Sequence, residues 1–243
     1  MGKAIEIKGL VKRYGKFTAV DGIDLDVESG SLFALLGENG AGKTTTIKAT
    51  CGLTRFDAGE IKVCGYDVKS EYGEIRKIIN VAPQETAVAA RLTVKENLLL
   101  SADLYGIADR ARTAEKFIDE FGLREAENKR AGTLSGGMQR RLSLAMALVP
   151  EPKVLFLDEP TLGLDVRARR DLWRELKNLK GRMTVVLTTH YLEEAEALSD
   201  GVAIMKNGKI LVCGTAEEIK KRAGEDSFEE AFLKITGDGY AQN

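Results

Sequence analysis

Cross-linking chemistry is nearly absent from this 243-residue chain. Its three cysteines, Cys51, Cys64 and Cys213, are odd in number, far apart and without a CxxC pair, which argues against a disulfide framework or a zinc site and fits a reducing compartment. An excess of charge of one sign is also missing. The 36 Lys and Arg offset 37 Asp and Glu, for a net charge of -1, so no global field draws the chain to DNA or an acidic membrane, and nucleic acid is disfavoured as the main ligand. No apolar run approaches the roughly 18 residues of a spanning helix. The start, Met1-Gly2-Lys3 and then a short alternating stretch, has no h-region of a signal peptide. Internal repeats and low-complexity linkers are lacking as well. What remains is 44% hydrophobic and 30% charged, the proportions of a globular protein long enough to bury an ordinary core without covalent staples.

Hydrophobic periodicity then organises the chain. Residues 3–63 are rich in short strand-like runs: 4–7 alternate, 23–27 alternate with acids between, and 32–36 are continuously apolar. A glycine-rich turn follows and leads into a helix over residues 44–51. From about residue 93 to 149 the strand signal gives way to helical spacing, with Thr93 and Glu96 as a capping box and Phe117, Ile118 and Phe121 on one face. Two more apolar runs, 154–157 and 184–187, alternate with a helical pattern at Leu172, Leu176 and Leu179. That alternation predicts an α/β fold with a mainly parallel sheet and crossover helices. Residues 201–205 and 209–212 predict a hairpin about Asn207-Gly208, a pair suited to a type I′ turn. A capped helix is expected from Thr215. A last one is expected near Ser227, with Glu230 as its box partner and Phe228, Ala231, Phe232 and Ile235 on one side, before a frayed tail over residues 237–243.

The chemistry-bearing residues gather at strand ends. Gly37-Glu38-Asn39-Gly40-Ala41-Gly42-Lys43-Thr44 matches GxxxxGK[ST] after an apolar strand and before a helix. Such glycines let consecutive N–H groups turn inward at a helix N-terminus, where the dipole favours anions. Lys43 can reach the β- and γ-phosphates of a nucleotide, and the Thr44 hydroxyl can complete a Mg²⁺ shell. Asp158 and Glu159 directly follow residues 154–157, at the carboxyl edge where open α/β sheets bind ligands. Asp158 is placed to hold Mg²⁺ through water and Glu159 to orient or deprotonate an attacking water, or the pair caps a turn. His190, the one histidine, follows the strand at 184–187, and Gln84 follows 78–82 and Pro83. Each is a site residue or a structural one by position alone. All four fall at one edge of one inferred sheet, which points to a shared ligand. Leu134-Ser135-Gly136-Gly137-Met138-Gln139 is a second anion site or a plain serine-capped helix start.

Together these residues resemble the nucleotide-binding domain of ABC transporters, in the family's order and over nearly the whole chain. Gly37 to Thr44, with Thr45 beside it, resembles Walker A: Gly37, Asn39, Gly40, Ala41, Gly42, Lys43, Thr44 and Thr45 are the cofactor-binding positions it implies. Ser135, Gly136 and Gly137 resemble the ABC signature, and residues 154–159 resemble Walker B with Glu159 as its catalytic glutamate. Gln84 resembles the Q-loop glutamine, residues 161–165 the D-loop, His190 the catalytic H-loop switch, and Tyr14 the aromatic that stacks on adenine. The resemblance implies a P-loop NTPase core with an N-terminal antiparallel β subdomain (about 1–90 and 150–220), a helical subdomain (about 91–149) and a C-terminal helix and tail (221–243). It implies ATP as substrate, with Mg²⁺ held at Thr44, Gln84 and Asp158. It also implies a head-to-tail homodimer that sandwiches two ATPs between Walker A of one subunit and Ser135 to Gly137 of the other, so that hydrolysis requires two chains.

Met138 stands where the commonest signature has glutamine, and a thioether cannot supply that amide's hydrogen bonds. The D-loop reads Thr161-Leu162-Gly163-Leu164-Asp165 with Val166 next, where serine and proline are more usual. The run Met138-Gln139-Arg140-Arg141-Leu142 and the closing element at 228–237 resemble the subgroup that serves type-2 ABC exporters. The expected role is an ATPase subunit on the cytoplasmic face of the membrane, docked on a separate integral membrane permease through the helical insert and the Gln84 loop. The alternative is a soluble ABC-type ATPase acting on ribosomes or DNA. Such proteins usually carry two nucleotide domains, a long coiled coil or a zinc insertion, and none appears here. A P-loop kinase or GTPase fits less well: no NKxD motif is found, and Ser135 to Gly137 would be unexplained.

Overall fold

The computed structural model describes residues 2–237. The chain opens with a long hairpin, β1 (Lys3–Tyr14) and β2 (Phe17–Glu28), closed where Tyr14 faces Phe17. Then follow β3 (Leu32–Leu36), α1 (Lys43–Thr50), β4 (Ala58–Val63), β5 (Tyr66–Asp67), α2 (Tyr72–Ile78) and β6 (Ile79–Ala82). Next come the helices α3 (Val94–Leu104), α4 (Arg110–Glu120) and α5 (Gly136–Leu148). Strand β7 (Val154–Asp158), α6 (Val166–Leu179), β8 (Thr184–Thr189), α7 (Leu192–Leu198), β9 (Gly201–Lys206), β10 (Lys209–Gly214), α8 (Ala216–Ala223) and α9 (Phe228–Thr236) complete it.

Two sheets result. One is antiparallel, in the order β2-β1-β4-β5, and the other runs β10-β9-β3-β8-β7-β6. In the second sheet β6, β7, β8, β3 and β9 pair in parallel and only β10 turns back on β9. Every residue of β3, β7 and β8 is buried, as parallel strands covered on both faces require. Alternate residues go to opposite sides: Leu32, Ala34, Leu36, Leu155 and Leu157 pack into the helical layer of α3 to α9. Phe33, Leu35 and Phe156 pack with Ile5, Ile7 and Ile61 of the antiparallel sheet and Ile47 of α1. Burying one such side chain contributes about 1.5–3 kcal/mol. The fold is therefore the predicted α/β arrangement, with the antiparallel sheet covering one face of the parallel one.

Local signals carry through. Thr93 and Glu96 form a complete capping box, with Thr93 Oγ1 accepting from the Glu96 amide at 3.1 Å and Glu96 Oε2 from the Thr93 amide at 2.7 Å, and Thr215 with Glu218 repeats it. At Ser227 the structure departs from expectation: only the forward half forms, a 3.5 Å bond from the Glu230 amide. Ser227 sits at φ -99°, ψ 138°, against φ -70°, ψ 168° at Thr93, and this rotation opens the cap. Asn207 and Gly208 have φ of 51° and 79°, as a type I′ turn needs. The apolar stripe of α9 packs on its own chain, with Phe228, Ala231 and Ile235 at most 3% exposed in the helical-side core. Beyond Gly237, the expected tail lies outside the described residues. Among the described residues no helix is long and apolar enough to cross a membrane.

Candidate functional site

Parallel pairing brings the carboxyl ends of β3, β8, β7 and β6 side by side, with Leu36 opposite Thr189, Asp158 opposite Thr188 and Ala82 opposite Leu157. Above that edge lies a cavity of about 430 Å³. Of the residues expected to form one site, Tyr14, Asn39, Gly40, Ala41, Gly42, Lys43, Thr44, Thr45, Gln84, Glu159 and His190 line it. Gly37 lies beneath, continuing the β3–β8 ladder through its amide to Thr189 O at 3.2 Å.

The loop between β3 and α1 needs its glycines for two reasons. Gly40 and Gly42 have φ of 85° and 105°, where a Cβ is disfavoured. A Cβ on Gly42 would also stand 2.5 Å from Ala19 O, and one on Gly37 2.3 Å from Met205 O. The β9–β10 turn supports the loop from outside, its Gly208 amide donating to Ala41 O at 3.0 Å. Gly42 caps α1 without a side chain, so the first-turn amides of that helix are offered to whatever sits above them.

Lys43 is 4% exposed. Its ammonium donates to Gly37 O at 2.7 Å and Glu38 O at 3.0 Å, and lies 3.6 Å from Glu159 Oε1. Burial lowers its pKa, and the Glu159 carboxylate works in the opposite direction. A buried cation with one carboxylate at that distance suits a further anion with several oxygens. Beside it, Asp158 Oδ1 accepts from the Thr44 hydroxyl at 2.9 Å and from the Thr188 hydroxyl at 2.5 Å. These are hard oxygen donors of the kind Mg²⁺ takes. Among the described residues no group of three His, Cys, Asp or Glu could hold a metal ion, so such a cation would draw the rest of its shell from phosphate and water.

Glu159 is 8% exposed and adopts φ 47°, a left-handed conformation unusual for a residue with a Cβ. Its amide donates to Thr188 Oγ1 at 3.0 Å and Thr188 O at 3.2 Å. One carboxylate oxygen faces Lys43, and the other lies 2.7 Å from His190 Nδ1, off the direction of a hydrogen bond. His190 is thus beside the carboxylate in the cavity. Tyr14, 49% exposed, forms the outer wall with Lys12 Nζ 4.7 Å from its ring centroid, and Phe17, its partner across the hairpin turn, adds a second aromatic surface.

Ser135, Gly136 and Gly137 do not line this cavity. Ser135 caps α5, accepting from the Met138 amide at 3.3 Å, so both readings of the segment remain compatible with its placement. Gly137 is held close to α6, where a Cβ would meet that of Ala168 at 2.8 Å, whereas a Cβ on Gly136 would meet nothing within 4 Å. Met138 packs against the core while Gln139 Nε2 donates to Ala131 O at 3.0 Å and Leu134 O at 3.3 Å, so the neighbouring residue supplies amide bonds that the thioether lacks. In the D-loop segment, Asp165 caps α6 through the Ala168 amide.

Sequence reasoning missed Thr188, which joins Asp158 to Glu159, and Phe17. It also missed Arg140, which is 6% exposed. The signal for Arg140 was available: it occupies the helical stripe that continues through Leu144 and Leu148, where an unpaired charge is out of place.

A glycine loop at a helix N-terminus, a buried lysine and a strand-end Asp-Glu pair define a P-loop nucleoside triphosphatase. A family profile described as ABC transporter matches residues 20–162. The chain is 44% identical over 227 residues to the daunorubicin/doxorubicin resistance ATP-binding protein DrrA of Streptomyces peucetius, covering 92% of this chain and 69% of that one. It is 37% identical over 240 residues to the linearmycin resistance ATP-binding protein LnrL of Bacillus subtilis, covering 94% and 77%. A solved ATP-binding subunit of an ABC transporter superposes with a TM-score of 0.85 at 30% identity, over 96% of this chain and 100% of that one. A dimeric ATP-binding cassette bound to ADP and phosphate shares the fold, with a TM-score of 0.77 at 24% identity over 87% and 98%. The chain belongs to the ABC transporter ATP-binding family and is an ATPase.

Proposed function

We propose that this chain is the ATPase subunit of a type-2 ABC exporter, working from the inner face of the membrane on a separate permease. The observation that carries the reading is the meeting of Lys43, Thr44, Asp158, Glu159 and His190 over one sheet edge, beneath the wall formed by Tyr14. Tyr14 stacks on the adenine. The amides of residues 40 to 45 and the Lys43 ammonium bind the phosphate oxygens, replacing their hydration with fixed dipoles and one buried charge. Thr44, Asp158 and Gln84 would hold Mg²⁺, which when bound neutralises phosphate charge. Glu159 orients the attacking water and accepts its proton, and His190 fixes the carboxylate from its far side.

Ser135 to Gly137 lie outside this cavity at the start of α5, with Gly137 close to Ala168 of α6, and Leu162 and Val166, which precede Ala168 in the chain, are exposed. In a head-to-tail pair that helix start caps the partner's γ-phosphate, and closing on ATP draws the two chains together. Leu100 and Leu104 of α3 and Tyr105 just after it are 39%, 76% and 47% exposed, and with the Gln84 loop they offer the permease an apolar docking face. The resistance proteins among the relatives favour export.

Glu159→Gln keeps shape and removes the base. Turnover is expected to fall at least a hundredfold, with ATP trapping a dimer visible by light scattering; a variant that hydrolyses at the parental rate would refute the assignment.

A further inference from the structure

Arg140 stands in the middle of α5, five residues beyond the Ser135 cap, and its guanidinium is withdrawn from solvent. It forms no ion pair among the described residues. All of its hydrogen bonds go to main-chain carbonyls of two separate segments. Nη1 donates to Pro83 O at 2.7 Å and Gln84 O at 3.1 Å. Nη2 donates to Asp158 O and Glu159 O, each at 3.2 Å, and Nε to Pro160 O at 2.7 Å. A guanidinium has five N–H donors, and five carbonyls receive them, which is how a cation can be buried at this depth without a carboxylate against it.

The carbonyls gripped are telling. Three belong to consecutive residues around Glu159, whose φ of 47° carries a steric penalty that its surroundings must overcome. Thr188 holds the amide of that residue, and Arg140 holds its carbonyl and those on either side. The other two carbonyls begin the loop that carries Gln84. One side chain on the helix that starts at Ser135 therefore clamps both the Gln84 loop and the backbone from which the Glu159 carboxylate projects.

We propose that Arg140 is a positioning residue for hydrolysis: its planar fork fixes the left-handed backbone of Glu159 and locks the Gln84 loop to it, so that α5, the loop and the carboxylate move as one body. This rests on the reading of Glu159 as the group that orients the attacking water. Lysine carries the charge but gathers its three donors at one point, so it cannot span Pro83 and Pro160 together. None of the Arg140 bonds reaches the phosphate-binding loop, so loss of the clamp falls on turnover far more than on nucleotide affinity.

The test uses the full chain with Arg140→Gln and Arg140→Lys, each alone and in a Gln84→Ala background. Mg-ATP calorimetry gives Kd and the fraction of chains that bind, and kcat is expressed per binding-competent chain. Both substitutions are expected to leave Kd within threefold of the parent and to lower kcat by roughly 10- to 100-fold, the span of losing charge-assisted bonds at a reacting group. The loss is expected to shrink in the Gln84→Ala background, because part of the clamp is already gone. Arg140→Lys keeps the buried charge and provides the measurement should Arg140→Gln fail to fold. A kcat within twofold of the parent, full recovery by lysine, equal losses in Kd and kcat, or strict additivity with Gln84→Ala would each overturn the proposal. If Glu159→Gln is inactive while the Arg140 variants turn over normally, only the clamp is wrong. Parental turnover by Glu159→Gln would instead remove the reading beneath it.

Discussion

Replacing Thr188 by valine removes one hydroxyl from the centre of the site and changes almost nothing else in shape. Thr188 is fully buried, and its Oγ1 does two things: it donates to Asp158 Oδ1 at 2.5 Å and accepts from the Glu159 amide at 3.0 Å. Losing a bond to a carboxylate costs about 1.5–3 kcal/mol and losing a neutral one about 1 kcal/mol. The Glu159 amide keeps its 3.2 Å bond to Thr188 O, so that part is not fully orphaned. The sum, roughly 2–4 kcal/mol, corresponds in a chain of this size to a fall in the unfolding midpoint of about 5–15 °C. Differential scanning calorimetry measures it directly. Asp158 also loses the donor that orients it towards Thr44, so ATPase activity at low Mg²⁺ is expected to drop more than activity at saturating Mg²⁺. A midpoint shifted by less than 2 °C, with an unchanged Mg²⁺ dependence, would show that the hydroxyl neither stabilises the strand ends nor orients the carboxylate.

Two further substitutions probe other parts of the structure. Gly42→Ala places a Cβ at φ 105° and 2.5 Å from Ala19 O and is expected to cost about 2–4 kcal/mol and to abolish ATP binding. Gly40→Ala, with φ 85° but nothing within 4 Å, should cost only about 1–2 kcal/mol, and equal effects of the two in an ATP titration would contradict the packing argument. Glu194 is buried against Trp173, whose indole N–H donates to it at 3.1 Å, and burial raises its pKa above the ordinary carboxylate value, with the neighbouring polar groups of Thr189, Thr161 and Trp173 opposing. Between the unfolded and the raised folded pKa the native chain binds more protons than the unfolded one, so stability falls as pH rises through that window, and the cost is complete above the folded pKa. Glu194→Gln should therefore flatten the pH dependence of stability on the alkaline side of the ordinary carboxylate pKa, followed through Trp173, the single tryptophan. An undiminished slope in the variant would place the titration elsewhere.

The burial of α9 and the capping of α5 show how evenly the local and the global parts of this molecule were readable. The stripe Phe228, Ala231 and Ile235 could be recognised from spacing, but which surface it covers is a property of the folded chain, where it meets Ile219 and Ala223 of α8. The Ser135 cap was legible as a helix start. That the same helix delivers Arg140 to carbonyls 18 to 57 residues away was not, because no local pattern encodes a side chain's distant main-chain partners. The half-formed box at Ser227 shows the converse: the residue pair was right, and two backbone angles decided the outcome.

By itself the order of residues determined the elements and the strand ends at which chemistry could gather, because periodicity, glycine loops and caps act over a few residues. The phosphate loop, the Asp158-Glu159 pair, Gln84 and His190 were each visible there. Tertiary structure alone decided that β3, β8, β7 and β6 stand in that sequence across the sheet, which brings those four groups to one cavity and leaves Ser135 to Gly137 outside it. It also decided the turned backbone of Glu159 and the bonds from Thr188 and Arg140 that hold it. Those contacts join residues far apart in the chain, and they exist only once the parallel sheet has paired and its two faces have been covered.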